Sequence, residues 1–352
     1  MIKKIEDFII QASASIIETM KQMDAVRHKS LLAFEDDKFY SIVTIGDLQR
    51  AIIKNYDLNG PISEIINTED KQYAYATEDV EVIKRRMLQI KCEFMPLLDK
   101  DGNLFDVLFW NEYFPSSLPT EAREPINLPV VIMAGGLGTR LKPLTNVLPK
   151  PLIPIGNKTI LEEIMDQFEN IGCHKFYMSV NYKSEMIRFY LNHLNHQYDV
   201  EFFEESKPLG TIGSVSLLKG KITTPFFVSN CDIIIDQDYR DVYEYHQNNH
   251  NDLTIVTAVK SFKIPYGVIE TGENGVMTGL HEKPEQTYMI NTGVYILNPD
   301  CIDEIPEGEF FHITHLIERI KSCGGLVGCF PVSEQSWKDI GDLTEYIKQL
   351  DN

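Results

Sequence analysis

From residue 130 onward, short apolar runs alternate with amphipathic stretches, and this alternation constrains the fold more than any other feature. Runs typical of buried strands are Val130 to Met133, Lys175 to Val180, Val200 to Glu204, Pro225 to Val228 and Leu253 to Val259. Helices are predicted between them, at 160–171, 184–194, after Gly213, and at 238–249. This order predicts an α/β, Rossmann-like fold with a mixed, mainly parallel sheet. Ligands of such sheets bind outside the carboxyl ends of the strands.

The first predicted strand ends in a glycine-rich stretch, PVVIMAGGLGTRLKPLTNVLPKPL. Gly135, Gly136 and Gly138 follow the strand, and Arg140 and Lys150 come soon after them. Glycine lets a ligand approach backbone N–H groups closely, and successive N–H groups form a concave anion site. The P-loop spacing and the third glycine of the dinucleotide motif are both missing. The stretch therefore predicts a polyphosphate site of another class.

Composition and charge exclude several kinds of partner. With 352 residues the chain is long enough for two domains. A net charge of −19 argues against nucleic-acid binding, which needs a basic face. No apolar run approaches the ~18 residues of a membrane span, and no signal peptide is evident. The six cysteines lack C-x-x-C pairs, so we expect free thiols in a cytoplasmic protein.

The N-terminal part contains an internal repeat. A shift of 65 residues lays Ser30 to Leu48 on Met95 to Tyr113. Each copy reads as an amphipathic helix, a strand, a turn, a strand and a short helix. The helices are predicted to bury apolar stripes made by Ile16, Met20 and Met23 in the first copy and by Val82, Leu88 and their neighbours at helical spacing in the second.

The repeat and the change of pattern after it predict the domain organisation. A duplicated unit covers residues 1–114, with copies at about 1–57 and 58–114. Four prolines among Ser, Thr and Glu residues predict a linker at 115–128. The remaining residues, 129–352, form the α/β domain.

The duplicated unit resembles a pair of CBS domains, with α+β architecture. The resemblance rests on the pattern and on IVTIGDL, Ile42 to Leu48. It implies that Thr44 and Asp47 contact the phosphate and ribose of a regulatory nucleotide. Alternatively, both residues cap a helix N-terminus. The second copy has Phe109 and Glu112 at these positions, so it does not repeat the motif.

The α/β domain carries a series of further motifs in a fixed order. After the glycine stretch come KPL, GTIG, the strand-end Asp232, YGV, EKP, NTGVY and WKDIGD. Their order resembles that of the sugar-1-phosphate nucleotidyltransferase family. The resemblance implies an enzyme of the nucleotidyltransferase fold that joins an NTP to a sugar-1-phosphate and releases pyrophosphate, with Mg²⁺ as cofactor.

The resemblance also implies a role for each matching residue. The nucleotide is expected to contact Ala134, Gly135, Gly136, Gly138, Thr139, Gly210 and Thr211. The catalytic residues are expected to be Arg140, Lys150 and Asp232. Mg²⁺ is expected at Asp232 and Asp339, and the sugar phosphate at Gly267, Glu282, Lys283 and Asn291. The alternative for Glu282 and Lys283 is a charge pair at a hairpin edge.

The motifs specify the substrates less tightly than the reaction. Gly213 stands where thymidylyltransferases tend to have glutamine, which favours GTP. A CBS pair before this domain resembles the glucosamine-1-phosphate guanylyltransferases of bacterial legionaminic acid biosynthesis, with mannose-1-phosphate as the alternative sugar. CBS pairs often associate, so a homo-oligomer is expected. The alternative from a different class is a non-catalytic, nucleotide-sensing regulatory protein.

Overall fold

The chain divides into two units, Met1–Arg123 and Glu124–Asn352. The computed structural model describes residues 5–68, 72–90, 92–110, 114, 123–194, 198–205 and 207–350. Each unit has its own sheets and its own core, and each is described by itself below. Among the described residues, no helix is both long enough and apolar enough to cross a membrane.

The first unit contains two modules of the same design, as the 65-residue shift predicts. The first consists of β1 (Ile9–Gln11), α1 (Ile16–Val26), β2 (Ser30–Glu35), β3 (Lys38–Thr44) and α2 (Ile45–Ile53). The second consists of β4 (Ala74–Tyr75), α3 (Val80–Ile90), β5 (Phe94–Leu98) and β6 (Leu104–Phe109). In each module the middle strand pairs in parallel with the first strand and antiparallel with the third. The short helix predicted after β6 lies mostly outside the described residues.

The apolar stripe predicted on α1 is confirmed, whereas the two residues named for the stripe on α3 are wrong. The buried residues of the α1 stripe are Ile16, Met20 and Met23. On α3, Val82 and Leu88 are exposed, and Ile83 and Met87 are buried instead. The buried pair has i, i+4 spacing, so it forms one stripe facing the sheet. Val82 and Leu88 flank this stripe. Which of these apolar residues face the sheet is decided by packing and not by the local sequence.

The boundary predicted between the two copies differs from the structure. The prediction places segment 58–63 in the second copy, but the backbone of this segment forms hydrogen bonds with the first copy. The Ile16 N–H donates to the Gly60 carbonyl (3.1 Å), and the Ile62 N–H donates to the Ala14 carbonyl (2.9 Å). These bonds satisfy polar backbone groups next to α1, which local sequence pattern does not reveal.

The end of the predicted linker is also different in the structure. Residues 124–128 pack on the second unit instead of connecting freely. The Ile126 N–H donates to the Ile171 carbonyl (3.0 Å), and Leu128 is buried. Proline-rich composition predicted a linker, but extended backbone beside a folded core forms hydrogen bonds with it. Residues 115–122 of the predicted linker lie outside the described residues.

A mixed sheet forms the centre of the second unit. Its strands are β7 (Val130–Met133), β10 (Lys175–Val180), β11 (Asp199–Glu204), β12 (Phe226–Asn230), β14 (Leu253–Lys263), β17 (Glu285–Leu297) and β18 (Val327–Ser333). Their order is β11–β10–β7–β12–β17–β14–β18. Among these strands, β17 runs antiparallel to both neighbours, and the other neighbouring pairs are parallel. The predicted mixed, mainly parallel sheet is confirmed.

Smaller sheets and the helices surround this sheet. The two-stranded sheets are β8 (Pro154–Ile155) with β9 (Lys158–Thr159), β13 (Ile233–Ile235) with β19 (Trp337–Asp339), and β15 (Val268–Thr271) with β16 (Met277–His281). The helices are α4 (Leu144–Val147), α5 (Ile160–Glu169), α6 (Ser184–His193), α7 (Tyr239–Asn248), α8 (Ile313–Ser322) and α9 (Leu343–Leu350). The helix predicted after Gly213 is a 3₁₀ helix, Gly213–Leu218.

Both faces of the central sheet are covered, as a mainly parallel sheet requires. Phe226 and Phe227 are neighbours on β12, so they point to opposite faces, and both are fully buried. Phe227 lies against Phe168 of α5 (ring centroids 5.1 Å apart). Phe226 belongs to the core cluster that includes Leu316 of α8. Burying each such side chain contributes about 1.5–3 kcal/mol, so the sheet is a rigid platform for the residues at its strand ends.

Candidate functional site

The glycine loop, residues 134–141, begins where β7 ends. The Ala134 N–H still donates to the Ser179 carbonyl of β10 (2.9 Å), and the chain leaves the sheet only after it. Gly138 has φ +61°, and a Cβ there would lie 2.8 Å from Thr145 Cγ2, so only glycine fits. At Gly136 a Cβ would meet no atom within 4 Å. The loop therefore combines one tightly packed glycine with backbone that is open to a ligand.

The two predicted metal ligands lie side by side. Asp232 follows β12, and the β13–β19 pairing sets Ile233 opposite Asp339. The Ile340 N–H donates to the Asp232 carbonyl (2.9 Å), which joins the two segments further. Gly341 lies between the carboxylates: a Cβ there would be 2.5 Å from Asp339 Oδ1 and 3.1 Å from Asp232 Oδ2. Two carboxylates that are distant in sequence thus reach one point.

The two predicted cations lie at the same point. Arg140 Nη2 would be 3.1 Å from a Cβ at Gly341. Lys150 Nζ donates to Asp232 Oδ2 in an ion pair whose side chains are only 10% and 11% exposed. The structure therefore brings together Arg140, Lys150, Asp232 and Asp339. A buried pair of this kind leaves an uncompensated charge when either partner is removed.

The electrostatics of the carboxylates fit a divalent cation. Burial raises the pKa of the Asp339 carboxyl above its ordinary value, and the charge of Asp232 raises it further, while Lys150 and Arg140 act in the opposite direction. A cation between two repelling carboxylates would relieve this repulsion. Mg²⁺ prefers oxygen ligands and keeps waters and substrate phosphates around it. Among the described residues no group of three or more His, Cys, Asp or Glu side chains is arranged to hold a metal.

Glu205 is a residue of this site that the sequence analysis missed. Its buried carboxylate accepts hydrogen bonds from Ser179 Oγ (2.7 Å) and from the Leu209 N–H (3.0 Å). The same carboxylate lies beside Gly135, 3.4 Å from where a Cβ would be. Glu205 thus joins the glycine loop to the segment that carries Gly210. The available signal was its position directly after β11, at the same sheet edge as the loop.

The segment 209–213, which contains Gly210 and Thr211 of the predicted nucleotide contacts, packs tightly against the chain before α8. Gly210 has φ +84°, and a Cβ there would lie 2.6 Å from the Phe311 carbonyl oxygen. Thr211 Oγ1 accepts from the Ile313 N–H (2.9 Å) at the start of α8. Gly213 is buried against the backbone as well. Packing alone accounts for Gly213, so its presence does not discriminate between GTP and other nucleotides.

The predicted sugar-phosphate residues lie at the open end of the β15–β16 hairpin, where Gly267 precedes β15 and Glu282 and Lys283 follow β16, and on β17, which carries Asn291. A Cβ at Gly267 would lie 3.1 Å from Glu282 Oε2. Lys283 Nζ lies 3.7 Å from Glu282 Oε1, and both side chains are more than half exposed. This is the charge pair that the sequence left open as the alternative. Asn291 Oδ1 accepts from the Tyr295 hydroxyl (2.9 Å), and sugar binding by these residues stays a prediction.

In the first unit, Thr44 and Asp47 form a capping box at the start of α2. The Thr44 N–H donates to Asp47 Oδ2 (2.8 Å), and the Asp47 N–H donates to Thr44 Oγ1 (3.3 Å). Arg50 Nη2 also donates to Asp47 Oδ1 (2.5 Å). The capping box is the alternative that the sequence left open, and a regulatory nucleotide at Thr44 and Asp47 stays a prediction. Glu112 of the second copy lies outside the described residues.

Comparison with known proteins places the second unit. The family described as Nucleotidyl transferase matches residues 129–352. Mannose-1-phosphate guanylyltransferase catalytic subunit beta of Drosophila melanogaster is 36% identical over 182 residues, which are 50% of this chain and 49% of that protein. Mannose-1-phosphate guanyltransferase of Pichia angusta is 37% identical over 184 residues, 50% of each chain. The chain spans about half the length of these curated relatives.

A solved structure agrees with this placement. HddC from Yersinia pseudotuberculosis is 29% identical, with a TM-score of 0.50, over 64% of this chain and 98% of that chain. A second structure of HddC is a complex with GMP-PN. Because the family match covers well over half of the 352 residues, the chain belongs to the nucleotidyl transferase family, as its ordered motifs predicted.

Proposed function

We propose that this protein transfers a nucleotidyl group from an NTP to a sugar-1-phosphate, which yields an NDP-sugar and pyrophosphate. The observation that carries the proposal is the convergence of Arg140, Lys150, Asp232 and Asp339 next to the open backbone of the glycine loop. A chain of net charge −19 that handles two polyanions must concentrate positive charge at one place. The convergence at Gly341 supplies that place.

The chemistry follows from bringing two phosphates together. A phosphate oxygen of the sugar-1-phosphate attacks the α-phosphorus of the NTP, and the bond to the bridging β-phosphate oxygen breaks. The electron pair leaves with pyrophosphate. The attacking phosphate is already ionised at neutral pH, so no general base is needed. Positioning and neutralisation of charge then account for catalysis.

Each residue of the cluster has a part in this step. The loop backbone at Gly136 is open, so its N–H groups can contact the triphosphate. Arg140 neutralises the triphosphate and the pyrophosphate that leaves. Lys150, held by Asp232, adds positive charge beside the loop. When bound by Asp232 and Asp339, Mg²⁺ supplies charge neutralisation at the reacting phosphates.

GTP is the NTP that we propose, and the relatives support it better than Gly213 does. Both curated relatives described above are named for guanylyl transfer, and HddC was solved with GMP-PN. As acceptor we propose glucosamine-1-phosphate, from the resemblance to the guanylyltransferases of legionaminic acid biosynthesis. Mannose-1-phosphate is the second candidate, because the names of the curated relatives favour it. Either sugar phosphate would contact Gly267, Glu282, Lys283 and Asn291.

The first unit is proposed to be a CBS pair that modulates the reaction in a homo-oligomer. Support comes from its two modules of the same design. A nucleotide at Thr44 and Asp47 would have to displace part of their capping box. Titration of the full chain with adenine and guanine nucleotides, in wild type and in Asp47→Asn, tests this part separately.

The test of the main proposal is a substrate panel. The purified chain with Mg²⁺ is incubated with each NTP and each of several sugar-1-phosphates, and both pyrophosphate and the NDP-sugar are measured. We expect turnover with GTP and one of the two hexose phosphates. Nucleotide binding without turnover of any pair would instead support the non-catalytic sensor. Arg140→Met, which keeps most of the side-chain length without the charge, is the inactive control.

A further inference from the structure

Lys183 makes a set of hydrogen bonds that the proposed reaction does not use. Its Nζ donates to three consecutive backbone carbonyls, those of Thr145 (3.2 Å), Asn146 (2.8 Å) and Val147 (2.8 Å). These residues form the end of α4, the short helix that follows the glycine loop. The last carbonyls of a helix lack intrahelical partners and carry partial negative charge. An ammonium group is therefore a well-suited donor for them.

The backbone of Lys183 is held in a conformation that lysine seldom adopts. Its φ of +53° and ψ of +35° lie in the left-handed region. A residue with a Cβ is strained there, and such strain persists only where the surroundings hold it. Here the ammonium is fixed at three carbonyls, and the next residue, Ser184, begins α6. The strained residue therefore lies where its side chain reaches the end of α4.

Neighbouring contacts connect Lys183 to the glycine loop. The Tyr182 hydroxyl also donates to the Thr145 carbonyl (3.3 Å). Thr145 Oγ1 in turn donates to the carbonyl of Gly138 (2.9 Å), the glycine with φ +61°. Asn181 Cβ lies 3.5 Å from where Gly135 would carry a Cβ. Three consecutive residues after β10 thus touch both the start of the loop and the helix behind it.

We propose that Lys183 is a positioning residue that clamps α4 and, through Thr145, holds Gly138 and the glycine loop in the geometry that binds the triphosphate. Lys183 acts on the loop and not on the substrate, since its ammonium is occupied by three carbonyls. The catalytic consequence rests on the proposed function. The clamp itself does not, because it concerns only the order of the loop.

Lys183→Met tests the clamp with the least disturbance. Methionine keeps an unbranched stem and leaves the backbone strain unchanged, but it removes the ammonium. Lys175→Met is the matched control: Lys175 lies at the other end of β10, and its ammonium pairs with Asp199 (3.0 Å). Lys183→Arg is the conservative variant, since a guanidinium also donates several hydrogen bonds.

The first readout is hydrogen exchange of the full-length protein without substrates. In Lys183→Met the amides of residues 135–148 should exchange faster than in wild type, and Lys175→Met should leave them unchanged. Equal exchange in wild type and Lys183→Met would overturn the clamp. This outcome is independent of any enzymatic activity.

The second readout is kinetic and separates positioning from general stability. Lys183→Met should raise the KM for GTP roughly tenfold or more, because small misplacements of a binding loop are costly. The KM for the sugar-1-phosphate should stay unchanged, and Lys183→Arg should restore most of the GTP affinity. Equal rises in both KM values, together with a lower melting temperature, would overturn the positioning role. A wild type without turnover of any pair would overturn the proposed function instead, and hydrogen exchange alone would then decide the clamp.

Discussion

The cluster around Gly341 and the β15–β16 hairpin were assigned by the same kind of motif match, yet their structures differ. In the cluster, Lys150 and Asp232 are about 10% exposed and form an ion pair, and Asp339 and Arg140 meet them. At the open end of the hairpin, the side chains of Glu282 and Lys283 are 70% and 57% exposed. Tertiary packing preorganises the first group before any substrate binds. The exposed pair adds little to the packed core, so we expect substitutions there to change substrate affinity and to leave the fold intact.

The largest effect should come from Asp339→Asn. Asparagine keeps the shape of the side chain but removes one of the two carboxylate charges expected to bind Mg²⁺. The kcat should therefore fall by roughly 10²-fold or more. Initial rates at saturating GTP and sugar-1-phosphate measure this, with circular dichroism as the check on folding. Asp342→Asn, three residues along the chain, is the control. Near-normal turnover of Asp339→Asn at ordinary Mg²⁺ levels would remove Asp339 from the site.

Lys150→Met should show how much the buried ion pair of the cluster contributes to the stability of the fold. The substitution leaves Asp232 buried without its ion-pair partner, which costs about 3–5 kcal/mol of unfolding free energy. Lys283→Met, in the exposed pair, should change unfolding free energy by less than about 0.5 kcal/mol. Urea denaturation of both variants gives the comparison. If Lys150→Met lost as little unfolding free energy as Lys283→Met, the buried cluster and the exposed pair would not differ in the way described.

Lys283→Ala should act on one substrate only. Because Lys283 is exposed and is expected to face the sugar phosphate, the KM for the sugar-1-phosphate should rise by roughly tenfold. The KM for GTP should stay within about twofold, since no other substrate is expected at this residue. Lys263→Ala, an exposed lysine at the end of β14, is the control. A rise of equal size in both KM values would show that Lys283 was placed in the wrong subsite.

The smallest effect is a pH dependence of stability that comes from Asp339 in the cluster. The folded-state pKa of Asp339 is raised, chiefly by burial and also by the charge of Asp232. Its contribution to unfolding free energy is therefore fully present below the unfolded pKa and is lost as pH rises through the folded pKa. Without Mg²⁺, Asp339→Asn should become more stable relative to wild type across this window. Urea titrations in EDTA between about pH 4 and pH 7 measure the difference.

A difference that is independent of pH would contradict this account of Asp339. Adding Mg²⁺ should stabilise wild type more than Asp339→Asn, since the ion would relieve the repulsion between the two carboxylates.

Much of the second unit could be predicted because its signals are local. The run Val130 to Met133 is a strand with the predicted ends, and α5 begins at Ile160, as predicted, behind a capping box of Thr159 and Glu162. In the first unit the order of elements was also local information. The inward face of α3 was not: Val82 and Ile83 are adjacent and both apolar, and contact with the sheet selects Ile83. Proline-rich composition likewise did not reveal that residues 124–128 pack on the second unit.

The sequence by itself determined the alternation of strands and helices, the position of the glycine loop at a strand end, and the residue types able to handle phosphate. These follow from the properties of near neighbours along the chain. Only the tertiary structure decided that Asp232 and Asp339 meet, because this depends on the pairing of β13 with β19. It also decided that the ammonium of Lys183, which in sequence resembles any surface lysine, reaches the last carbonyls of α4. Contacts between distant segments depend on the register of packing, and no local pattern encodes that register.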